Sequence, residues 1–179
     1  MKASGSWVII RVDGKIAAVS PDWRRLPYVA AAVAKLPSGS VDSISGEKVS
    51  TRQLFSLAET VRWEDFHLFG TKFQTGVWKA LFDTQKRLYS YSEFASICGN
   101  PKGVRSVAHA VGLNPVACLI PCHRIVPKET IDRVQEIRRG AESTLFRGSD
   151  LYLLDTIDVG EYEYGPALKR DLIKLDLGK

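Results

Sequence analysis

The residues best suited to chemistry in this sequence are Cys122 and His123, which follow Pro121 directly. A cysteine attacks as its thiolate, and an unperturbed thiol is mostly protonated at neutral pH. A neighbouring imidazole can take the proton. In an extended segment adjacent side chains point to opposite sides, so contact requires a bridging water or a bend at Pro121. The pair predicts a nucleophilic cysteine; the alternative is a buried core cysteine beside a surface histidine.

Cysteine and histidine are too few and too scattered for a disulfide framework or a zinc site. The 179 residues include three of each. An odd cysteine count without paired spacing argues against a disulfide scaffold, and no pair has zinc-ligand spacing. No secretory signal is visible, and no apolar run approaches the roughly 18 residues that cross a bilayer. We expect a soluble, intracellular protein with no metal, no other cofactor and no membrane partner.

The positive charge of the chain is concentrated in one segment. The formal net charge is +5, and residues 69–125 contain seven lysines and arginines against two acidic residues. Such a segment suits a phosphate-rich partner. A solvated basic surface without a partner is the alternative.

The residues before this basic segment have the pattern of a small α+β domain. Ser6–Val12 alternates in polarity, an Asp-Gly turn follows, and Lys15–Ser20 returns, which predicts a hairpin. Helices are predicted over Pro27–Leu36 and Thr51–Val61. The Ser- and Gly-rich stretch between them is interpreted as a loop or weak strand ending near Ser45.

Two short helices in the basic segment form a helix-turn-helix candidate. A capping box over Thr71–Gln74 begins a preceding helix, and a second over Ser90–Glu93 begins a short one that ends at Gly99. The next helix is predicted over Lys102–Val111. Its exposed face carries Arg105, Ser106 and His109. The pattern is typical of DNA-binding proteins, although many helix pairs of this kind bind nothing.

The segments on either side of the Cys-His pair complete the C-terminal half. Asn114-Pro115 predicts a turn, and Ala117–Ile120 predicts a short apolar strand that delivers the cysteine. Beyond the pair, Glu129–Arg139 has a helical pattern and Leu151–Ile157 a strand-like one. We predict two domains, an α+β domain over 1–66 and a second domain over 67–179 that contains the helix-turn-helix candidate and the Cys-His pair.

The motifs around the Cys-His pair resemble those of the O6-alkylguanine-DNA alkyltransferase family, the methylated-DNA–protein-cysteine methyltransferases. Pro121-Cys122-His123-Arg124-Ile125 resembles the family's active-site signature. Further similarity lies in Gly70–Leu81, Ser90–Lys102, Arg105, Asn114-Pro115 and Gly160–Leu172. The resemblance covers about residues 70–125 and 160–176. It implies an α+β fold, with a small N-terminal α/β-type domain followed by a mainly helical C-terminal domain that holds the helix-turn-helix and the active-site cysteine.

The resemblance implies direct repair of double-stranded DNA containing O6-alkylguanine. Cys122 would accept the alkyl group, and His123 would act through a water as its base. An acidic residue of the last helix would hold the histidine. When the chain is aligned with the family pattern at Lys169, Asp176 lies at that position. Tyr91 would crowd the phosphate of the flipped nucleotide and donate a proton to the leaving guanine. The thioether product has no good leaving group, so each molecule would act once, as a monomer.

The resemblance also assigns residues to DNA contact, to the active-site turn and to the guanine pocket. Arg105 would enter the minor groove and fill the space left by the flipped base. The DNA-contacting set would be Arg105, Tyr91, Ser106 and Lys102. The turn would be held by Asn114 and Pro121, and the pocket lined by Ile125, Tyr162 and Glu163.

Three departures from the family pattern affect these expectations. Residues 126–159 are longer than the usual link, which suggests a surface insertion or mobile lid. The bulky residues of Tyr162–Gly165 predict better tolerance of methyl than of benzyl-sized groups. Asp176 stands where the family usually has Glu, which is one methylene longer.

Two other functions are compatible with parts of the pattern. A non-catalytic alkyltransferase-like lesion-binding protein would share the DNA-binding motifs, but such relatives lack the reactive cysteine that this chain keeps. An unrelated Cys-His hydrolase ranks last, because no oxyanion motif is visible. For a repair protein we expect the compartment of the genome, the nucleus in a eukaryote and the cytoplasmic nucleoid in a prokaryote.

Overall fold

The structure is a computed structural model that describes residues 5–142 and 155–177. Its strands are β1 Ser6–Val12, β2 Lys15–Ser20, β3 Ile44–Ser50, β4 Tyr89–Ser90 and β5 Ile125–Val126. Its helices are α1 Leu26–Val33, α2 Thr51–Ala58, α3 Lys72–Phe82, α4 Tyr91–Ile97, α5 Val104–Gly112, α6 Lys128–Glu142 and α7 Pro166–Leu177. The predicted α+β class is confirmed. Within the described ranges, no helix is long and apolar enough to cross a membrane.

The chain divides into two compact units that alternate along the sequence. The first unit contains residues up to 82 together with 113–121, and the second contains 83–112 and the residues from 122 onward. These units are defined by spatial contacts, whereas the predicted domains 1–66 and 67–179 divide the chain once. The predicted boundary after residue 66 therefore stays a prediction.

A three-stranded antiparallel sheet in the order β2-β1-β3 organises the first unit. The predicted hairpin is confirmed, with both turn residues, Asp13 and Gly14, at positive φ. Apolar side chains of β1 and β2 pack with Val29 of α1 in a buried cluster. β3 continues to Ser50, beyond the loop or weak strand predicted from the sequence. Its side chains are almost all exposed, so it lacks the alternation that reveals a half-buried strand.

The segment before the Cys-His pair is a buried turn, and the strand predicted over Ala117–Ile120 is wrong. Cys118 has a φ of 69°, and the Leu119 amide bonds to the carbonyl two residues earlier. Val116 forms a parallel bridge to Val19 of β2, and the Ala117 amide donates to the Val19 carbonyl at 3.3 Å. Four consecutive apolar residues indicate burial but do not distinguish a strand from a turn.

A short parallel pair, β4 and β5, lies in the second unit, where Tyr89 pairs with Ile125 and Ser90 with Val126. The helix predicted over Glu129–Arg139 is confirmed by α6. The associated apolar cluster contains Val126, Ile157, Val159 and Ile173, with Leu88, Ile131 and Val134 packed against it. Of the predicted strand over 151–157, residues 151–154 lie outside the described residues. Residues 155–157 form a turn instead of a strand.

Helices α4 and α5 are joined by a tight turn in the second unit. The Ser90 hydroxyl caps α4 by accepting the Glu93 amide at 3.1 Å, but the Glu93 carboxylate pairs with Arg87 at 2.6 Å. Only one half of the predicted capping box is therefore present. Gly99 ends the helix with a φ of 70°, a conformation that favours glycine. α5 begins at Val104, two residues later than predicted.

Candidate active site

Cys122, His123 and Arg124 form one 3₁₀ turn that leads directly into β5. A 3₁₀ turn rotates successive side chains by about 120°, so the extended geometry expected from the sequence does not apply here. Cys122 and His123 are both buried, with 8% and 1% of their surface exposed. The Cys-His pair therefore lies inside the second unit, and its histidine is not at the surface.

Asp176 of α7 holds the imidazole of His123. The His123 Nε2 and Asp176 Oδ2 atoms are 3.0 Å apart, and both residues are buried. The structure thus brings together the two residues that the sequence register paired. Because the carboxylate only accepts hydrogen bonds, the shared proton belongs to Nε2 and leaves Nδ1 as an acceptor.

The same carboxylate is also bound by cations. Arg124 donates from Nε to Asp176 Oδ2 at 2.6 Å and from its terminal nitrogen to Oδ1 at 3.1 Å. Lys86 lies 3.7 Å from Oδ1. An arginine that donates two hydrogen bonds to a carboxylate holds it in one orientation and also stabilises its ionised form. The shorter aspartate side chain therefore still presents a firmly held oxygen to the histidine.

These contacts set the protonation states of the pair. Burial raises the pKa of Asp176, but the hydrogen bonds from His123 and Arg124 outweigh it and hold that pKa well below the usual value. Burial lowers the pKa of His123, and this effect exceeds the opposing effect of the Asp176 carboxylate. At neutral pH the site therefore contains a neutral imidazole bound to an ionised carboxylate.

The second nitrogen of His123 has no partner. Among the described residues, Nδ1 is the one buried side-chain nitrogen or oxygen without a hydrogen-bond partner. Buried polar atoms are almost always hydrogen-bonded, and exceptions concentrate where a water or substrate belongs. A neutral imidazole with a fixed tautomer and an open acceptor can take a proton.

The sulfur of Cys122 faces a loop that precedes α7. The thiol lies 3.9 Å from the hydroxyl of Tyr162, to which it donates a long hydrogen bond. In the same loop Gly160 has a φ of 75°, and a Cβ there would be 3.0 Å from the Pro127 ring and 3.5 Å from the Tyr91 hydroxyl. The tyrosine at the start of α4 therefore reaches the loop that covers the sulfur.

Asn114 stabilises the turn that ends at Pro121. Its side chain donates to the Ile120 carbonyl at 2.9 Å and accepts the Val116 amide at 3.0 Å. The amide and Pro121 are both buried. The hydrogen bonds cross the base of the turn, so they fix the backbone that precedes Cys122 in the chain.

The remaining predicted residues occupy three environments. Lys102, Arg105, Ser106 and His109 are exposed, on α5 and on the turn before it. Ile125 is fully buried in β5. Tyr162 is half-buried at the sulfur, whereas Glu163 is exposed. The side chain of Glu163 is therefore the least enclosed of those predicted to line the pocket.

Two residues of the site received no role from the sequence. Arg124 belongs to the motif around the Cys-His pair, and its adjacency to His123 is the sequence signal for a contact with the same carboxylate. Lys169 lies in the closing part of the family pattern, and it is 1% exposed. Lysine is seldom fully buried, and no local pattern shows when a helix turns one inward.

The fold is that of known O6-methylguanine methyltransferases. The structure aligns with the O6-methylguanine-DNA methyltransferase of the archaeon Pyrococcus kodakaraensis at a TM-score of 0.58 and 19% identity, over 96% of this chain and 91% of the other. The Mycobacterium tuberculosis O6-methylguanine methyltransferase aligns at a TM-score of 0.53 and 19% identity, over 96% and 93%. At such identities the similarity establishes the fold alone.

Sequence comparison finds a family similar to the middle of the chain. Residues 72–143 match the family model of the 6-O-methylguanine DNA methyltransferase DNA-binding domain. The resemblance stated from the motifs is therefore confirmed.

Similar curated proteins match about a third of the chain. A probable methylated-DNA–protein-cysteine methyltransferase of Acanthamoeba polyphaga mimivirus is 48% identical over 65 residues, 36% of this chain and 44% of the viral protein. A Haemophilus influenzae methylated-DNA–protein-cysteine methyltransferase is 48% identical over 61 residues, 34% of each chain. The chain thus matches less than half the length of these relatives.

Proposed function

We propose that this protein repairs double-stranded DNA by transferring the alkyl group of O6-alkylguanine to the sulfur of Cys122. The observation that carries the proposal is the state of His123, in the same turn as the cysteine. One imidazole nitrogen is fixed by Asp176, and the other is buried and open. The names of the similar curated methyltransferases support the same reaction.

The proposed transfer begins with removal of the thiol proton. The His123 Nδ1 atom accepts this proton through a bridging water, and Asp176 stabilises the imidazolium that results. The Cys122 thiolate attacks the alkyl carbon, so the sulfur–carbon bond forms as the bond from carbon to O6 breaks. Guanine leaves with the electron pair of that bond and takes up one proton.

Tyr91 is the proposed donor of that proton. Burial raises the pKa of its phenol, and the Cys122 and Glu161 charges raise it further, so the hydroxyl stays protonated at neutral pH. Its position against Gly160 puts it at the loop that covers the sulfur. The thioether formed on Cys122 has no leaving group that water displaces readily, so each molecule acts once.

The exposed face of α5 is the proposed DNA-binding surface. Arg105 and Ser106 project from it while Val107 and Ala110 are buried, so one face is free for a groove. A stacked guanine is out of reach of a buried thiol, and flipping it costs a few kcal/mol. Arg105 offsets part of that cost by occupying the space of the flipped base, and Lys102 adds a phosphate contact.

Repair of a defined DNA duplex tests the function. A duplex with one O6-methylguanine inside a restriction site, which the enzyme cuts only when the guanine is unmodified, is incubated with the protein at several molar ratios. We expect restored cleavage in proportion to protein, with one duplex repaired per molecule. The matched control is Cys122→Ser, which keeps the shape and should repair nothing, and Cys98→Ser should repair normally. Binding of the duplex without restored cleavage would support the lesion-binding alternative.

A further inference from the structure

Strand β3 forms one edge of the sheet in the first unit. The strand order is β2-β1-β3, and among residues 5–142 and 155–177 no strand or bridge continues the sheet beyond β3. The opposite edge, β2, is partly covered by bridges from Ile16 to Phe66 and from Val19 to Val116. The residues of β3 are almost all exposed. An edge strand of this kind offers its backbone groups to another strand.

The pairing of β3 with β1 determines which of its backbone groups point outward. At one end of this antiparallel ladder the Thr51 amide bonds to the Gly5 carbonyl at 3.2 Å. Because hydrogen-bonded pairs alternate along such a ladder, the odd-numbered residues of β3 bond to β1. The amides and carbonyls of Ile44, Gly46 and Lys48 therefore point away from the sheet.

Exposed apolar side chains lie at the same edge. A Cβ added at Gly46 would overlap the ring of Trp23, so this ring packs directly on the backbone in the middle of β3. Trp23 is 41% exposed and Ile44 is 40% exposed. Ile44 and Gly46 are two residues apart, so their side-chain positions are on one face of the strand. The edge thus combines outward backbone groups with apolar surface, as protein interaction sites do.

We propose that the outer edge of β3 is a self-association surface, on which β3 of a second copy pairs antiparallel about a two-fold axis at Gly46. This register puts Ile44 of each copy opposite Lys48 of the other, so every outward residue has a partner. Asp42 precedes Ile44 by two residues, so its carboxylate comes within reach of the Lys48 ammonium of the second copy. The two Trp23 rings lie on the two central glycines and lose water together.

Charge and hydrogen bonding favour this register over its neighbours. Two-fold axes at Glu47 or at Lys48 would put like charges directly opposite each other, which is destabilising. An axis at Ser45 would place Lys48 opposite Asp42. The Asp42 amide already donates to Asp13 Oδ1 at 2.9 Å, so that pair could not complete its hydrogen bonds. The axis at Gly46 avoids both defects.

The same charges favour a second copy over an unrelated strand. A lysine on an exposed edge ordinarily opposes pairing, because its ammonium keeps its water. A second copy supplies the Asp42 carboxylate next to Lys48 twice, once on each side of the axis, whereas a strand without an acid at that place does not. The interface is only one strand long, so we expect weak association, with the monomer implied by the family resemblance prevailing in dilute solution.

Sedimentation equilibrium from micromolar to millimolar concentration, without DNA, tests the surface. We expect a monomer–dimer equilibrium. Lys48→Glu puts like charges together at two symmetric places and should raise the dissociation constant of the dimer about tenfold. The double variant Asp42→Lys with Lys48→Glu exchanges the charges and should restore association. Glu47→Gln, on the other face of the strand, is the control and should leave association unchanged.

Two outcomes of this experiment would overturn the proposal. A protein that stays monomeric at millimolar concentration would exclude the second copy and leave a strand of another protein as the occupant. A dimer that Lys48→Glu does not weaken would have a different interface.

Amide hydrogen exchange of the unsubstituted protein, measured residue by residue by NMR, tests the register without any variant. Exchange at Ile44, Gly46 and Lys48 should slow as the concentration rises, because these outward amides become bonded to the second copy. The amides of Ser45 and Glu47 bond to β1, so their exchange should not depend on concentration. Unchanged exchange at the outward amides while the protein dimerises would overturn the proposed edge.

Discussion

The two units of the molecule differ in the kind of polar group they bury. In the first unit the buried polar residues are neutral, and each is hydrogen-bonded within the unit: Ser20, Thr51 and Asn114. In the second unit the described residues include three buried side chains of basic or acidic residues, His123, Lys169 and Asp176. One of these has a nitrogen without a partner, and another has no carboxylate partner.

This difference separates stability from chemistry. A neutral buried group with all its hydrogen bonds fixes a backbone at little cost. A buried ionisable group is costly, and groups with perturbed pKa values concentrate at functional sites. The charges of the second unit are therefore the part of the molecule that we assign to alkyl transfer. Substitutions in each of the two units test this difference.

The largest expected effect is on the transfer rate when the base is removed. His123→Gln keeps a polar side chain but has no basic nitrogen, so the single-turnover rate of methyl transfer should fall about 10²–10⁴-fold. The measurement is quenched-flow repair of an O6-methylguanine duplex. Duplex affinity should not change, and a normal rate would remove His123 from the mechanism.

The next largest effect is on folding, from loss of the shared carboxylate. Asp176→Ala leaves Arg124 without its partner in a partly buried site, which should cost about 3–5 kcal/mol in the free energy of unfolding. Denaturant titration with circular dichroism measures it. Asp176→Glu is the control and should lose less, because it keeps the charge. Equal stability of the alanine variant would mean that the site does not depend on this ion pair.

A smaller stability effect is expected in the first unit. Asn114→Ala removes a donor and an acceptor from the buried turn, leaving the Ile120 carbonyl and the Val116 amide unpaired. The cost should be about 1–3 kcal/mol of unfolding free energy. Because asparagine does not ionise, this cost should be constant between pH 5 and pH 8. A cost that varied with pH would contradict the contrast between the units.

The pH dependence of stability should arise in the second unit. Burial lowers the pKa of His123 in the folded state, so the unfolded chain binds a proton first as the pH falls. The contribution of His123 to the free energy of unfolding is therefore present above its pKa in the unfolded chain, near 6.5, and is lost as the pH falls below that value. His123→Gln should show a weaker decline in stability from pH 8 to pH 5. If the free energy of unfolding declined equally with pH in both proteins, the pKa of His123 would not differ between the folded and unfolded states.

The smallest effect is expected from an exposed ion pair of the first unit. Arg11 and Glu47 are 3.2 Å apart across β1 and β3, with side chains 29% and 54% exposed. Solvent screening limits such pairs to about 0–1 kcal/mol, so Glu47→Gln should change stability by less than that. Its repair rate should equal that of the unsubstituted protein. A larger loss would show that surface charge also matters in the first unit.

The sequence predicted what depends on local pattern and on motif. The hairpin through Asp13-Gly14 and the capping box at Thr71–Gln74 were readable because each is a contact between near neighbours. The pairing of His123 with Asp176 was readable only through motif register. It joins residues 53 positions apart, a separation that no local pattern spans.

Other features depend on packing that no local pattern encodes. The turn at Cys118 was predicted as a strand because apolar residues suit both conformations. The burial of Lys169 and the double hydrogen bond from Arg124 to Asp176 arise from the placement of α7 in the second unit.

The most direct test of the account is peptide mass spectrometry of the protein after incubation with an O6-methylguanine duplex. We predict one added methyl group per molecule, located on Cys122 and absent from Cys98 and Cys118, with no methylation by an undamaged duplex. An unmodified Cys122 peptide from a protein that has removed the methyl group from DNA would contradict the account.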